Sequence, residues 1–129
     1  DLFPDNVFFR QGQVSGFIDF YFACQDMLAY DIAICINAWC FEPDGSLNVT
    51  KSSSLLSGYQ TVRSLENAER EALGLLCLGS SLRFYLTRAH DLIHHDPNWL
   101  VTPKNPHDYI LRMRTHLRAN GASGYGLWS

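Results

Sequence analysis

The chain has 129 residues, of which 47% are apolar and 18% charged, and a formal net charge of −3. That is one domain's length with enough apolar matter for a core, which excludes a disordered chain. The mild negative charge and the absence of a basic run leave no footprint for a nucleic-acid partner.

In chain order, Val7-Phe8-Phe9 reads as a short strand. Arg10-Gln11-Gly12-Gln13 supplies a turn in which Gly12 can take positive φ. Residues 14–19 return as a second strand, apolar at Val14, Phe17 and Ile18, giving a hairpin. From 26 to 41 apolar residues fall on nearly every side of a helix, the mark of a helix buried all round. Glu42-Pro43-Asp44-Gly45 ends it. A second helix is expected over 51–63 with Thr50 as N-cap. The longest is expected over 68–94, opened by Ser64 or Glu66 and stopped by Asp96-Pro97-Asn98. Asn105-Pro106 has the cap-then-proline order of a last helix, running to 119. Gly121 closes it, and the Gly/Ser-rich stretch 121–129 is expected to be a flexible tail.

The most apolar window, 27–41, carries Asp31 and Asn37 and is shorter than the ~20 residues that span a bilayer. No basic stretch precedes a cleavable apolar one, so no signal peptide is visible. Cys24, Cys35, Cys40 and Cys77 show neither a CxxC pair nor zinc spacing, and read as reduced packing residues. The expectation is a soluble, cytoplasmic chain without a membrane partner.

The opening, Asp1-Leu2-Phe3-Pro4-Asp5-Asn6, carries chemistry. Protein kinases use an Asp base followed, after four residues, by an Asn that holds Mg²⁺, and a second Mg²⁺-binding Asp further on. Asp1 and Asn6 have that spacing, and Asp19 ends the second strand within Gly16-Phe17-Ile18-Asp19-Phe20. A hairpin brings the residue before its first strand beside the residue after its second. Asn6 and Asp19 can then share a metal, with Asp1 left to orient a substrate hydroxyl. Hard oxygen ligands suit Mg²⁺. Spacing alone is weak, since roughly one half of such an Asp/Asn pair is expected by chance at this composition. Without the rest of the pattern, Asp5 and Asn6 shape a Pro-containing turn and Asp19 caps the passage into the helix.

The match goes further than spacing. DLFPDNVFF, GFIDFYFAC, DMLAYDIAICINAWCFEPDG and LVTPK together resemble the C-terminal half of bacterial homoserine kinases of the aminoglycoside-phosphotransferase-like type. In that superfamily the catalytic loop reads H-x-D-[LIV]-x-x-x-N, and a later I-D-[FW] supplies the metal-binding Asp. The resemblance runs from Asp1 to about Leu117. It implies a mainly α fold with a small β-hairpin, the helical C-lobe of a protein-kinase-like enzyme over 1–120, with its catalytic hairpin at 1–20 and helices over 26–119. It implies ATP and Mg²⁺ as co-substrate and ion, and L-homoserine as the small-molecule substrate in threonine biosynthesis. By position, Asp1 matches the Asp that accepts or orients the hydroxyl proton. Asn6 matches the Mg²⁺-binding Asn. Asp19 matches the Asp bridging Mg²⁺ and the ATP phosphates. Asp26 and Asp31 match an acidic pair, with Asp31 expected to be buried, hydrogen-bonded and structural.

The chain departs from the pattern at its start. The His two positions before the Asp is absent, and so are a Gly-rich phosphate loop, a Val-Ala-Ile-Lys-like strand and a helix Glu to pair with its Lys. Residue 1 is therefore expected to be a cut, with the N-lobe absent, the isolated polypeptide inactive or nearly so, and an apolar face left open to self-association. Another kinase of the superfamily, acting on choline, a hydroxylated amine or an antibiotic, is the rival reading. A non-catalytic helical module is the second. An acid-lined cleft favours cationic substrates; a cleft with an Arg favours an amino acid. Arg83 and Arg88 are the candidates for such a cleft, against ion-paired surface roles. Asn37 is expected to be a buried structural hydrogen-bonder and Trp39 core. His94-His95 are read as an exposed helix end, and Tyr85 and Tyr109 as core or amphipathic surface.

Overall fold

The computed structural model describes residues 2–98, 100–119 and 121–127. A two-stranded antiparallel hairpin, β1 (Val7–Arg10) and β2 (Gln13–Phe17), precedes four helices: α1 (Leu28–Trp39), α2 (Val49–Gln60), α3 (Asn67–Ile93) and α4 (His107–Arg118). The mainly α outline with a small hairpin is the one expected. Among the described residues no helix is long and apolar enough to cross a membrane.

The hairpin turns through Gln11 at φ 53° and Gly12 at φ 77°, two successive positive values that match the right-handed twist of the strands. Phe8 pairs with Gly16 but Phe9 with Val14, so the register shifts there and leaves Ser15 over as a bulge.

α3 is the spine, packing against both α1 and α4. The all-apolar reading of α1 holds over its middle, where Ile32, Ala33, Ile34 and Ile36 are buried. The helix is shorter than the expected 26–41. Asp26 Oδ1 accepts from Met27 N (2.7 Å) before it begins. Beyond it, Phe41 leaves the helix to bridge Leu47, and Asn48 N donates to the Cys40 carbonyl (2.7 Å).

The cap of α2 is Asn48 and not Thr50. Its Oδ1 accepts from Lys51 N (3.0 Å), which starts the helix two residues earlier than expected. α3 opens with a capping box in which Glu66 and Glu69 each satisfy the other's backbone, so Glu66 rather than Ser64 is its start. At α4, Asn105 Oδ1 accepts from His107 N (2.9 Å), as the cap-then-proline order implied.

The stretch expected to be a loose tail is packed, at least through residue 127. Residues Ala122–Tyr125 form a 3-10 turn, Tyr125 is fully buried, and Leu127 is buried beside it. Ser52 Oγ donates to the Tyr125 carbonyl (2.7 Å) and Ser53 Oγ to that of Gly126 (3.0 Å). Glycine and serine dominate the stretch by number, but burial of Tyr125 and Leu127 decides the outcome by area removed from water.

A polar hub crosses the core. Asn37, fully buried on α1, donates from Nδ2 to the Cys77 carbonyl (3.0 Å) and the Ala33 carbonyl (3.3 Å). Its Oδ1 lies 2.9 Å from Ser81 Oγ and 3.0 Å from His116 Nε2. His116 Nδ1 meets the Tyr125 hydroxyl at 2.9 Å. One amide thus ties α1, α3 and α4 together, the structural role expected of it, and leaves its own polar atoms satisfied. Cys35, Cys40 and Cys77 are buried, and burial pushes their thiols up to about 12, 11 and 12. They are packing residues with no thiolate character. Cys24, read with them as packing, is exposed.

Candidate active site

Residues Pro4–Asn6 form a 3-10 turn with proline at its first position, where the missing N–H costs nothing. Asn6 N donates to the Phe3 carbonyl (2.9 Å). β1 leaves directly from this turn, and Val7 pairs with Phe17. The ladder extends one step further: Ile18 N donates to the Asn6 carbonyl at 3.0 Å. Asn6 therefore stands across from Ile18 and one residue from Asp19, the adjacency that the hairpin argument anticipated.

Asp19 takes φ 65°, a left-handed conformation that Asp tolerates better than most residues but still at a cost of about 1 kcal/mol. The turn breaks β2 and directs the chain into the irregular segment before α1. Backbone strain of this kind gathers at functional sites.

Asp1 lies outside the described residues. Its neighbours are anchored three ways. Trp39 Nε1 donates to the Leu2 carbonyl at 2.7 Å. The ring of Phe3 meets that of Phe84 edge-on at 5.0 Å. Lys104 Nζ pairs with Asp5 Oδ2, joining the loop before α4 to the opening turn. Trp39 also packs edge-on against Phe9 (6.3 Å), so the indole joins α1 to the hairpin and the opening loop together. Sequence reasoning took Trp39 as core and left Phe3 and Lys104 aside. Lys104 lies in the quoted LVTPK stretch, but its partner is 99 positions away and no local pattern indicates it.

An open cleft of about 360 Å³ lies between β2, the segment that follows it, and the helices α1 and α3. Asp19, Asp26, Asp31 and Arg83 all line it, on walls otherwise largely apolar, such as Phe22 and Met27. Asp31 was expected in a buried helix. It is exposed, because the first turn of α1 projects past the core and only the turns beyond are covered. A carboxylate there also complements the positive end of the helix.

The structure separates the two candidate arginines. Arg88 Nη1 donates to the Asn105 carbonyl (2.9 Å) and pairs with Asp108 Oδ2 (3.1 Å), tying α3 to α4. Arg83 faces the cleft, its guanidinium carbon 4.4 Å from the Phe84 ring centroid. His94 caps α3 in an exposed turn and stacks on His90, as expected of a helix end. Tyr109, on α4, is fully buried and stacks on Phe84 of α3, and Tyr85 is half-buried.

Among the described residues no group of three or more His, Cys, Asp or Glu side chains could hold a metal ion. The Asn6 amide, on a residue opposite Ile18, and the Asp19 carboxylate one residue beyond Ile18 are both hard-oxygen groups. That donor set suits Mg²⁺, which keeps several waters and takes one or two carboxylates plus phosphate oxygens. It does not suit zinc, which wants a nitrogen and sulfur shell.

The model of the phosphotransferase enzyme family matches residues 1–65 of the chain. The homoserine kinase of Acidiphilium cryptum (strain JF-5) is 59% identical over 127 residues, which is 98% of this chain and 40% of that protein. Those of Parvibaculum lavamentivorans and Xanthobacter autotrophicus are 58% and 56% identical over the same shares. The chain thus spans about 40% of the length of the curated relatives it matches.

Proposed function

The chain belongs to the phosphotransferase enzyme family, and on that premise we propose that it carries the catalytic half of a homoserine kinase. In this reading the γ-phosphoryl group of ATP moves to the side-chain hydroxyl of L-homoserine. The observation that supports it most is the Ile18 N to Asn6 O hydrogen bond of 3.0 Å, which brings the Asn6 backbone within one residue of Asp19, a residue that lines the cleft. The relatives named above carry the choice of substrate.

Asn6 and Asp19 are the residues that would hold Mg²⁺, which when bound neutralises charge on the phosphate oxygens. Asp1 orients the hydroxyl and takes its proton as the new oxygen–phosphorus bond forms and the bond from the γ-phosphorus to the ADP oxygen breaks. The left-handed backbone at Asp19 sets the direction in which its side chain leaves the turn. The anchors on Leu2, Phe3 and Asp5 restrict the opening loop. Positioning is the larger part of catalysis in this chemistry, where the protein makes no covalent bond. A reaction that consumes ATP and makes an amino-acid precursor belongs in the cytoplasm.

The test joins this chain to the unmatched part of the Acidiphilium cryptum enzyme and measures ADP release with Mg²⁺-ATP. Homoserine, choline and an aminoglycoside are compared, with Asp1→Asn as control. The expected result is homoserine-dependent turnover that falls by orders of magnitude in the variant. Turnover on choline or the aminoglycoside alone would keep the mechanism and reject the substrate. A folded chimera inactive on all three would reject the enzyme.

A further inference from the structure

A cleft built for one charge differs from a cleft built for two. Three carboxylates alone would describe a site for a polycation. The cleft holds Asp19, Asp26 and Asp31, but Arg83 enters it from the α3 side. Resting on the homoserine kinase reading, we infer that Arg83 binds the α-carboxylate of the substrate, while Asp26 and Asp31 bind its α-ammonium. The cleft thereby selects a zwitterionic amino alcohol over a purely cationic one.

Three features carry this. First, Arg83 is braced. Its guanidinium lies over Phe84 at 4.4 Å, and Phe84 is itself held edge-on by Phe3 (5.0 Å) and stacked by Tyr109 (5.5 Å). A planar donor fork held on a fixed ring suits two-point recognition of a carboxylate. Second, the opposite charges come from different elements. Arg83 belongs to α3, Asp31 to the first turn of α1, and Asp26 to the segment before it. The two charged ends of a small substrate can then meet different walls. Third, Asp19 belongs to the same cleft and, in the reading above, is committed to the metal, which leaves Asp26 and Asp31 as the other carboxylates on its walls. Arg83 would also act against choline and aminoglycosides, which bring positive charge and no carboxylate. Rejection by an unmatched charge is an ordinary route to specificity.

The experiment uses the chimera described above and three alcohols: homoserine, 3-aminopropan-1-ol, which lacks the carboxylate, and 4-hydroxybutanoate, which lacks the ammonium. Arg83→Gln should raise KM for homoserine roughly 10- to 100-fold, the loss typical of a charge-assisted hydrogen-bonded pair, with no parallel rise in KM for ATP. The preference for homoserine over 3-aminopropan-1-ol should collapse by a similar factor. Arg83→Lys should keep part of that preference. Asp31→Asn should instead erode the preference over 4-hydroxybutanoate. An unchanged homoserine KM in Arg83→Gln, a rise confined to ATP, or an equal loss on all three alcohols would overturn the assignment. An unmutated chimera that works on choline but not on homoserine would overturn the underlying reading instead, so the two failures are distinct.

Discussion

His116 is only 5% exposed, with Asn37 on one side of its ring and Tyr125 on the other. The neutral ring satisfies both, donating from Nε2 and accepting at Nδ1. Burial first, and the charge of Arg112 second, lower its pKa from 6.5 to about 4. The folded value lies below the unfolded one, so between pH 6.5 and 4 the unfolded chain binds the extra proton. Stability from this residue is complete above pH 6.5 and is lost as pH falls through that window. Urea titrations at pH 7.5 and pH 5 should differ by about 2 kcal/mol, and His116→Gln should flatten the difference. Equal slopes in the two proteins would show that the pH dependence arises elsewhere. That Asn37 must find partners was legible from its apolar surroundings. Which partners was not, because Ser81 and His116 lie 44 and 79 positions away. Asp31 misled for the opposite reason: an apolar run says how a helix is buried along its middle and nothing about where its first turn emerges.

At the scale of elements, the hairpin and the four helices were readable because each carries its own punctuation: a turn glycine, a capping pair, an Asn-Pro start. Boundaries moved where a side chain outcompeted the pattern, as Asn48 did at α2. The turn after α4 was misread because composition was weighed in place of side chains such as Tyr125 and Leu127, which are buried. Gly126 makes this turn testable. It sits at φ 77°, and a Cβ built on it would lie 2.8 Å from Ser53 Cβ and 3.1 Å from Val49 Cγ1. Gly126→Ala thus combines a left-handed backbone with a collision against α2. It should cost about 2 kcal/mol or more, seen as a lower denaturation midpoint at unchanged m-value. Gly12, also left-handed at φ 77°, meets nothing within 4 Å, so Gly12→Ala should cost less. If the two variants are equally stable, the packing of this turn is not what holds α2.

Over the whole molecule, apolar surface is unevenly distributed. Phe8, Phe9, Val14, Phe17 and Phe20 are each roughly half or more exposed around the hairpin, beside an open apolar groove of about 690 Å³ that Trp39 and Leu55 help to line. Exposed apolar side chains gathered on one element mark an interaction surface or a self-association liability. The 129-residue chain alone should self-associate at micromolar concentrations through this face, and Phe9→Lys with Val14→Lys should return it to a monomer in sedimentation velocity. A monodisperse monomer without those changes would count against it. That the Asn6 backbone lies opposite Ile18, one residue from Asp19, was legible because a hairpin's register is local arithmetic. The cleft that Asp19 lines was not, since α3 brings Arg83 to it from 64 positions beyond Asp19.

The hydrogen bonds from Ser52 and Ser53 to the turn at 125–126 each join residues 73 positions apart. For a helical protein, whose contacts are usually near in sequence, these are costly closures, and they favour slow, late consolidation over rapid collapse. During synthesis the ribosome delivers α1, α2 and α3 well before it delivers Tyr125. Until that ring emerges, His116 lacks its hydroxyl partner and the core one of its largest side chains. A chain truncated after α4 would lack the ring that seals this core, and the apolar surface it leaves open is the kind that chaperones and proteases recognise.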